Sequence, residues 1–417
     1  MAVDPTNASN LASGTVPEAR MPSTGTSWQA VQTTGFTAVA GNGYPVNTTS
    51  GGITITLPAS ASVGDTIEFV DYAGTFQTNT ATLAPNGLKL EGQTNNRLLQ
   101  TKYDGIRVVY LDATQGWHQA ARGEMVGAAY PSATGPDGAA GVTDGDYKVH
   151  IFNASKTGSN GFSVSEPGTS AGSTAIEYLV IAGGGAGAQQ NGGGAGGGGA
   201  GGYRNSCTES GEKSGRDTAV ESTTTVTAQN YDVTIGAGAS GAAGAFGATG
   251  SNSVALAITS LGGGGGGSNS VGKDGGSGGG GGEVTAYVES GDGTAGQGFD
   301  GYYGTNSGNY GGGGGGAGGT NTGSTHSRNG GAGLSSKISN ISAPVVRGGG
   351  GGSSGNGVAG GSAGTGGGGA GGAGSGGTGT ATSGTANTGG GSGGWYGTQS
   401  FVNGGSGIVV IRYKFQN

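Results

Sequence analysis

Gly262 to Gly267, Gly311 to Gly316 and Gly348 to Gly352 are unbroken glycine runs, and they constrain the fold more than any other feature. Glycine loses more conformational freedom on folding than any other residue, about 0.5–1 kcal/mol per residue relative to alanine inside regular structure. With 107 glycines in 417 residues, such runs either stay disordered or sit where a side chain would not fit. A flexible Gly/Ser linker is the simpler alternative. What enters the runs argues against it. AIEYLVIAGGGAG, SVALAITSLGGGGGG and SAPVVRGGGGG each carry an apolar, strand-like run straight into glycine, and NYDVTIGAGASG is a weaker copy. The region closes on GGSGIVVIRYKF, a β-run whose expected partner is the stretch 176–181.

Extended three-fold helices make no internal hydrogen bonds. Without side chains they can approach closely, so that each N–H and C=O finds a partner on a neighbouring helix and burial becomes tolerable. At about 3.1 Å per residue, a six-glycine run spans about 19 Å, the length of a typical β-strand. We therefore expect packed polyglycine II helices anchored by β-strands. Collagen is excluded, because the runs lack the Gly-every-third period and the chain has 10 Pro.

The stretch EYLVIAGGGAGAQQ also reads as G-x-G-x-x-A after a strand, close to a dinucleotide-binding fingerprint. That fingerprint needs a helix after the glycines to hold the pyrophosphate. AQQNGGGAGGGGAGGYRN follows instead, and it cannot be that helix. GSNSVGKD is a near miss to a P-loop, with Asp274 where Ser or Thr should bind magnesium.

The remainder of the chain divides into further blocks. Residues 1–26 lack periodicity and read as a disordered tail or an extended arm that orders on a partner. In 27–122, Ile53, Ile55 and Leu57, then Ile67 and Phe69, alternate with polar residues as half-buried strands do. Asn86-Gly87 is a hairpin signal, and 106–111 with a closing strand from near Trp117 completes a small antiparallel β-sandwich domain. Residues 123–144 read as a Pro/Gly/Ala linker. In 145–417, Lys148 to Phe152 and Phe162 to Val164 suggest a hairpin leading into the glycine-rich region. The expected fold class is all-β: the small sandwich, then a β-sandwich or jelly-roll-like domain with packed polyglycine II helices.

Composition narrows the function. The formal net charge is −7 and the 17 Lys+Arg are scattered, so no basic footprint for nucleic acid exists. The lone Cys207 excludes an intrachain disulfide and a thiolate zinc site. No apolar run is long enough to span a membrane, and no signal peptide is recognisable. His118, His150 and His326 are far apart without metal-ligand spacing. No calcium loop, G-x-S-x-G elbow or nominable carboxylate pair is present, so no catalytic, cofactor or metal residue is named. The notable side chains are aromatic islands in GQGFDGYYGTNSGNYGG and GGSGGWYGTQSF, which read as loops connecting the tracts. Phe299, Tyr302, Tyr303, Tyr310, Trp395, Tyr396 and Phe401 either lid the glycine packing or form a contact surface for sugars or protein.

NASNLASGTVPEARMP resembles repeated segments of phage tail-fibre proteins, and TTSGGITITLPASASVGDTIEFVDYAGTF…GWHQA resembles a β-domain of marine phage structural proteins. EYLVIAGGGAG…GGYR…YDVTIGAGA…GGSGIVVIRY is similar to the glycine-rich C-terminal domain of phage tail-fibre and appendage proteins, cyanophage ones especially. The resemblance implies a non-enzymatic virion component, a homotrimer that contributes to host adsorption. A head fibre or capsid decoration protein, or a depolymerase tailspike, would be the alternatives. It implies attachment to other virion proteins through Asn10, Leu11, Pro17, Arg20 and Pro22. Its implied contacts with a host polysaccharide or protein fall on Tyr302, Tyr303, Tyr310, Trp395 and Tyr396. No nucleic acid partner, membrane insertion or cofactor is expected.

Overall fold

The computed structural model describes residues 26–124, 130–169, 172–242, 246–283, 287–305, 307, 309–319, 326–374, 376–397 and 401–416. Regular structure among them is β apart from three single-turn 3-10 segments, as an all-β chain requires. The chain separates into two compact units, 1–127 and 128–417.

In the first unit the strands are β1 (Ser27–Trp28), β2 (Phe36–Thr37), β3 (Asn42–Val46), β4 (Ile53–Thr56), β5 (Thr66–Asp71), β6 (Ala81–Ala84), β7 (Arg97–Leu99), β8 (Asp104–Asp112) and β9 (Gly116–Glu124). They form two sheets, β1-β3-β5-β8-β9 and β2-β4-β6-β7. The expected alternation holds: Ile53, Ile55, Leu57, Ile67 and Phe69 fill the core with Trp117. The expected antiparallel pairing does not. β1, β3 and β5 run parallel, as do β2, β4 and β6, and only β7, β8 and β9 join antiparallel. From β1 to β6 the chain crosses to the other sheet after every strand, so neighbours within a sheet point the same way. Period-two patterning reports a half-buried strand and carries no information about direction.

Asn86 and Gly87 do form a tight turn, both at positive φ, with Leu88 N–H donating to Pro85 O at 3.2 Å. It does not close a hairpin, because β6 pairs with β7 further along.

The second unit contains β10 (Pro131–Thr134), β11 (Val142–Asp144), β12 (Tyr147–Phe152), β13 (Phe162–Pro167), β14 (Ile176–Ile181), β15 (Gln189–Gln190), β16 (Tyr203–Asn205), β17 (Asn230–Tyr231), β18 (Ser253–Ala255), β19 (Ile258–Ser260), β20 (Leu334–Ser336), β21 (Val345–Arg347), β22 (Trp395–Tyr396) and β23 (Ile408–Lys414). Its main sheet runs β11-β12-β23-β14-β16, beside a smaller β10-β13-β17 sheet. β23 pairs antiparallel with β14, Ile176 opposite Tyr413 through Ile181 opposite Ile408, the partnership the sequence implied. Both strands are buried on both faces. One face packs with Phe152, Phe162 and Val164, the other with Tyr203 and Cys207.

Two expectations are corrected here. β12 and β13 are not a hairpin, since each pairs into a different sheet. Residues 131–134 and 142–144, expected within the linker, are strands paired to β13 and β12.

From this sheet the chain runs out and back as extended, non-sheet tracts, and these pack side by side. In 262–267, Gly263 and Gly266 donate to Gly183 and Ala186, while Gly264 and Gly267 donate to Ser277 and Gly280. Partners thus advance three residues for every three, the period of a three-fold helix. The tract 311–316 donates to Ser354, Gly281, Ser327, Gly351 and Gly278 in succession. In return, Gly197, Tyr302, Gly331, Ala200 and Phe299 donate to its carbonyls. Each interior tract is therefore surrounded by others, as packed polyglycine II requires. An added Cβ at Gly263, Gly314 or Gly351 would lie closer than 3.0 Å to a neighbouring backbone carbonyl. The tracts are glycine because the main chains touch.

Candidate functional site

Gly183 to Gly187 follow β14 directly, and their amides are already committed. Gly183, Gly184, Gly185 and Ala186 donate to carbonyls of Ser251, Gly405, Gly199 and Ala248, and Gly187 donates to Ser392 Oγ at 2.9 Å. A phosphate cradle needs free amides at a helix N-terminus, and these are spent inside the lattice.

GFDGYYG, read from sequence as a loop, is instead a perimeter tract of the lattice. Gly298, Gly301 and Gly304 are buried, and a Cβ there would collide with Ser277, Gly279 and Gly282. Phe299, Asp300, Tyr302 and Tyr303 occupy the two outward positions and are half-buried. Tyr302 N–H donates to Gly313 O at 2.8 Å, and burial raises the pKa of its hydroxyl. Arg216 pairs with Asp300 at 3.0 Å and lies 5.5 Å from the Phe299 ring centroid.

Tyr303 stands edge-on to His326, whose ring is stacked on Tyr287 with centroids 4.7 Å apart. Tyr287 is 69% exposed. Neither Tyr287 nor His326 was singled out from sequence as a contact residue. The three-residue glycine spacing that puts Tyr303 on the outside was the available signal.

Tyr310 lies at the reversal into the 311–316 tract, half-buried, bridged to Thr305 and Gly355. Tyr396 is half-buried on β22, which pairs with β15, and its ring covers Gly374, where an added Cβ would come within 2.9 Å. A bridge from Gly355 to Ala373 links the surroundings of Tyr310 and Tyr396. The structure thus gathers Tyr310 with Tyr396, and Tyr302 with Tyr303.

Trp395 is corrected. It is fully buried, packed edge-on to Phe401 in a small cluster with Ala381 and Val402. It lids the glycine packing and has no face to offer a ligand. Asn10, Leu11, Pro17, Arg20 and Pro22 lie outside the described residues.

At the sheet, Arg412 is wholly buried and donates to Glu177 at 2.6 Å, with Glu209 and the Cys207 sulfur each at 3.3 Å. Its guanidinium also lies 4.1 Å from the Tyr147 ring centroid. Glu177 and Arg412 are directly opposite across β14 and β23, so the ion pair is a cross-strand contact. Burial pushes the Cys207 thiol up to about 12, leaving it protonated and unreactive at neutral pH. Among the described residues no group of three His, Cys, Asp or Glu could hold a metal.

A search of curated proteins found no match. The family model described as "Glycine-rich domain" matches residues 165–414, more than half of the chain. That span covers β14, the whole polyglycine lattice and β23, and the chain accordingly belongs to this glycine-rich domain family.

Proposed function

We propose that the chain is a non-enzymatic structural subunit of a phage virion, a tail fibre or similar appendage, and that its glycine-rich unit takes part in adsorption to the host. The supporting observation is the lattice of tracts bonded laterally through their backbones, a body stiff enough to present side chains at fixed positions, with half-exposed tyrosines on its perimeter and reversals. Rigid aromatic rings provide contact area at little entropic cost. On this reading Tyr302, Tyr303, Tyr310 and Tyr396 contact a host polysaccharide or protein, and residues 1–26 attach the subunit to other virion proteins. The phage resemblance of the N-terminal and glycine-rich segments supports the virion setting and a homotrimer.

The test replaces Tyr302, Tyr303, Tyr310 and Tyr396 by Ala together. Adsorption should fall while the amides of 262–267 stay protected; unchanged adsorption with the lattice intact removes these residues as receptor contacts. Immunogold labelling of particles tests the location, with gold on the tail expected and gold on the head contradicting the appendage assignment.

A further inference from the structure

Asparagine followed by glycine can close on itself. The glycine nitrogen attacks Cγ of the Asn side chain, a C–N bond forms, and the side-chain nitrogen leaves as ammonia. Water then opens the five-membered imide at either carbonyl, giving aspartate or isoaspartate. The net reaction consumes one water and releases one ammonia. Glycine favours it because no Cβ crowds the attacking nitrogen and the backbone turns freely. Two freedoms are required: a glycine N–H that is not donated elsewhere, and an Asn side chain able to swing onto it.

The sequence has seven such pairs, beginning at Asn42, Asn86, Asn160, Asn191, Asn329, Asn356 and Asn403. Six are restrained. Gly330 donates to Ser362 O at 3.0 Å and Gly404 to Ala239 O at 2.8 Å. The side chains before them are pinned too, Asn329 Oδ1 accepting from Ser362 N–H and Asn403 Oδ1 from Gly241 N–H, both at 2.9 Å. Gly161 donates to Gly158 O at 3.0 Å. Gly43 lies inside β3, between β1 and β5, and Asn42 Nδ2 donates to the Tyr44 hydroxyl at 3.1 Å. Asn86 and Asn356 are held through their side chains. Asn86 Nδ2 donates to Leu57 O at 3.0 Å, and Asn356 Nδ2 to Gly192 O at 3.3 Å.

Asn191 differs from all of these. It is exposed, in the reversal that follows β15 and precedes the buried tract from Gly193. Neither its side chain nor the Gly192 amide has a hydrogen-bond partner among the described residues. Gly192 stands at φ 93° with open space where a Cβ would be. Both freedoms are present together at this pair.

We infer that Asn191 is a self-modification site, converting to aspartate and isoaspartate in the folded protein while the other six pairs are protected. The product carries a carboxylate where Asn191 was neutral, and isoaspartate adds a methylene to the main chain. The change falls beside the reversal that carries Tyr310, because Asn356, bonded to Gly192, also donates its N–H to Asn309 O at 2.8 Å. The conversion itself does not depend on what the tyrosines contact.

The test is incubation of the full chain in mildly alkaline buffer, with and without urea, each pair being followed by peptide mass spectrometry. In urea all seven should convert at comparable rates. A hydrogen bond that must open first slows the step about fivefold, and amides inside the packed tracts are protected further. In the native chain Asn191 should therefore keep its rate in urea, and the other six should convert at least about fivefold more slowly. Native conversion of Asn191 no faster than that of Asn329 and Asn403 overturns the inference, as does conversion of Asn86 or Asn356 ahead of it. Asn191→Gln, whose longer side chain disfavours ring closure, should abolish most of the ammonia released by the native protein. Undiminished release from that variant also overturns it.

Discussion

Gly314→Ala puts the close-packing argument at its most exposed. Gly314 donates to Gly351 O at 2.8 Å and accepts from Gly331 N–H at 2.9 Å. Its missing side chain faces Gly198, whose carbonyl an added Cβ would overlap. That carbonyl in turn accepts from Gly351 N–H at 2.9 Å. The new methyl must push apart three tracts bonded to one another through backbone alone, and no flexible side chain can yield. Loosening three such bonds costs about 1 kcal/mol each. Overpacking in a rigid core adds about 1–3 kcal/mol. The unfolded chain gives back about 0.4–1 kcal/mol, because alanine has fewer conformations to lose. These terms overlap, and a net destabilisation of about 3–5 kcal/mol is expected, a large share of the about 5–15 kcal/mol typical of a domain. Thr249→Ala, on an outward row, should change stability by less than about 0.5 kcal/mol. Urea unfolding of both variants against the parent measures the difference. Equal, small losses for both would refute the claim that main chains touch at Gly314.

His150 is buried against Phe162 and Tyr413, and burial, with a smaller contribution from Lys148, holds its pKa at about 4 against an ordinary 6.5. The unfolded chain then binds the proton more readily, so stability should be full above pH 6.5 and fall by up to about 3 kcal/mol as pH drops toward 4. His150→Gln should remove that slope, and an unchanged slope would contradict the assignment. Arg412→Leu should cost about 3–5 kcal/mol by leaving Glu177 buried and unpaired, and the double variant Arg412→Leu, Glu177→Leu should recover much of it; denaturant midpoints decide. Cys207 should resist a thiol reagent in the native protein and react on unfolding, whereas rapid native labelling would contradict its burial.

What could be read from the sequence was what residue type alone dictates. Tyr178 to Ile181 and Ile408 to Ile411 are continuous apolar runs at the two ends of one region, and burying both faces of each requires that they meet. The glycine runs pointed to packed polyglycine because apolar strands lead into them repeatedly. Strand direction in the first unit was not legible, because alternation at Ile53, Ile55 and Leu57 is the same for parallel and antiparallel neighbours. Lys148 to Phe152 and Phe162 to Val164 are close in sequence, yet the tertiary demand of two stacked sheets separates them. The site was half legible. Aromatic residues in GFDGYYG stood out, but their outward placement depends on Gly298, Gly301 and Gly304 facing inward, a spacing that has meaning only once the tract is known to be three-fold. Trp395 was misplaced because a Trp in a glycine-rich stretch looks the same whether it caps the packing or faces solvent.

Amide hydrogen exchange on 262–267 and 311–316 reaches the central claim most directly. If lateral bonds saturate these backbones, their amides should exchange orders of magnitude more slowly than a free peptide and as slowly as those of β14 and β23. Exchange at the free-peptide rate, with β14 and β23 still protected, would mean that the tracts do not pack and that the stiff lattice does not exist.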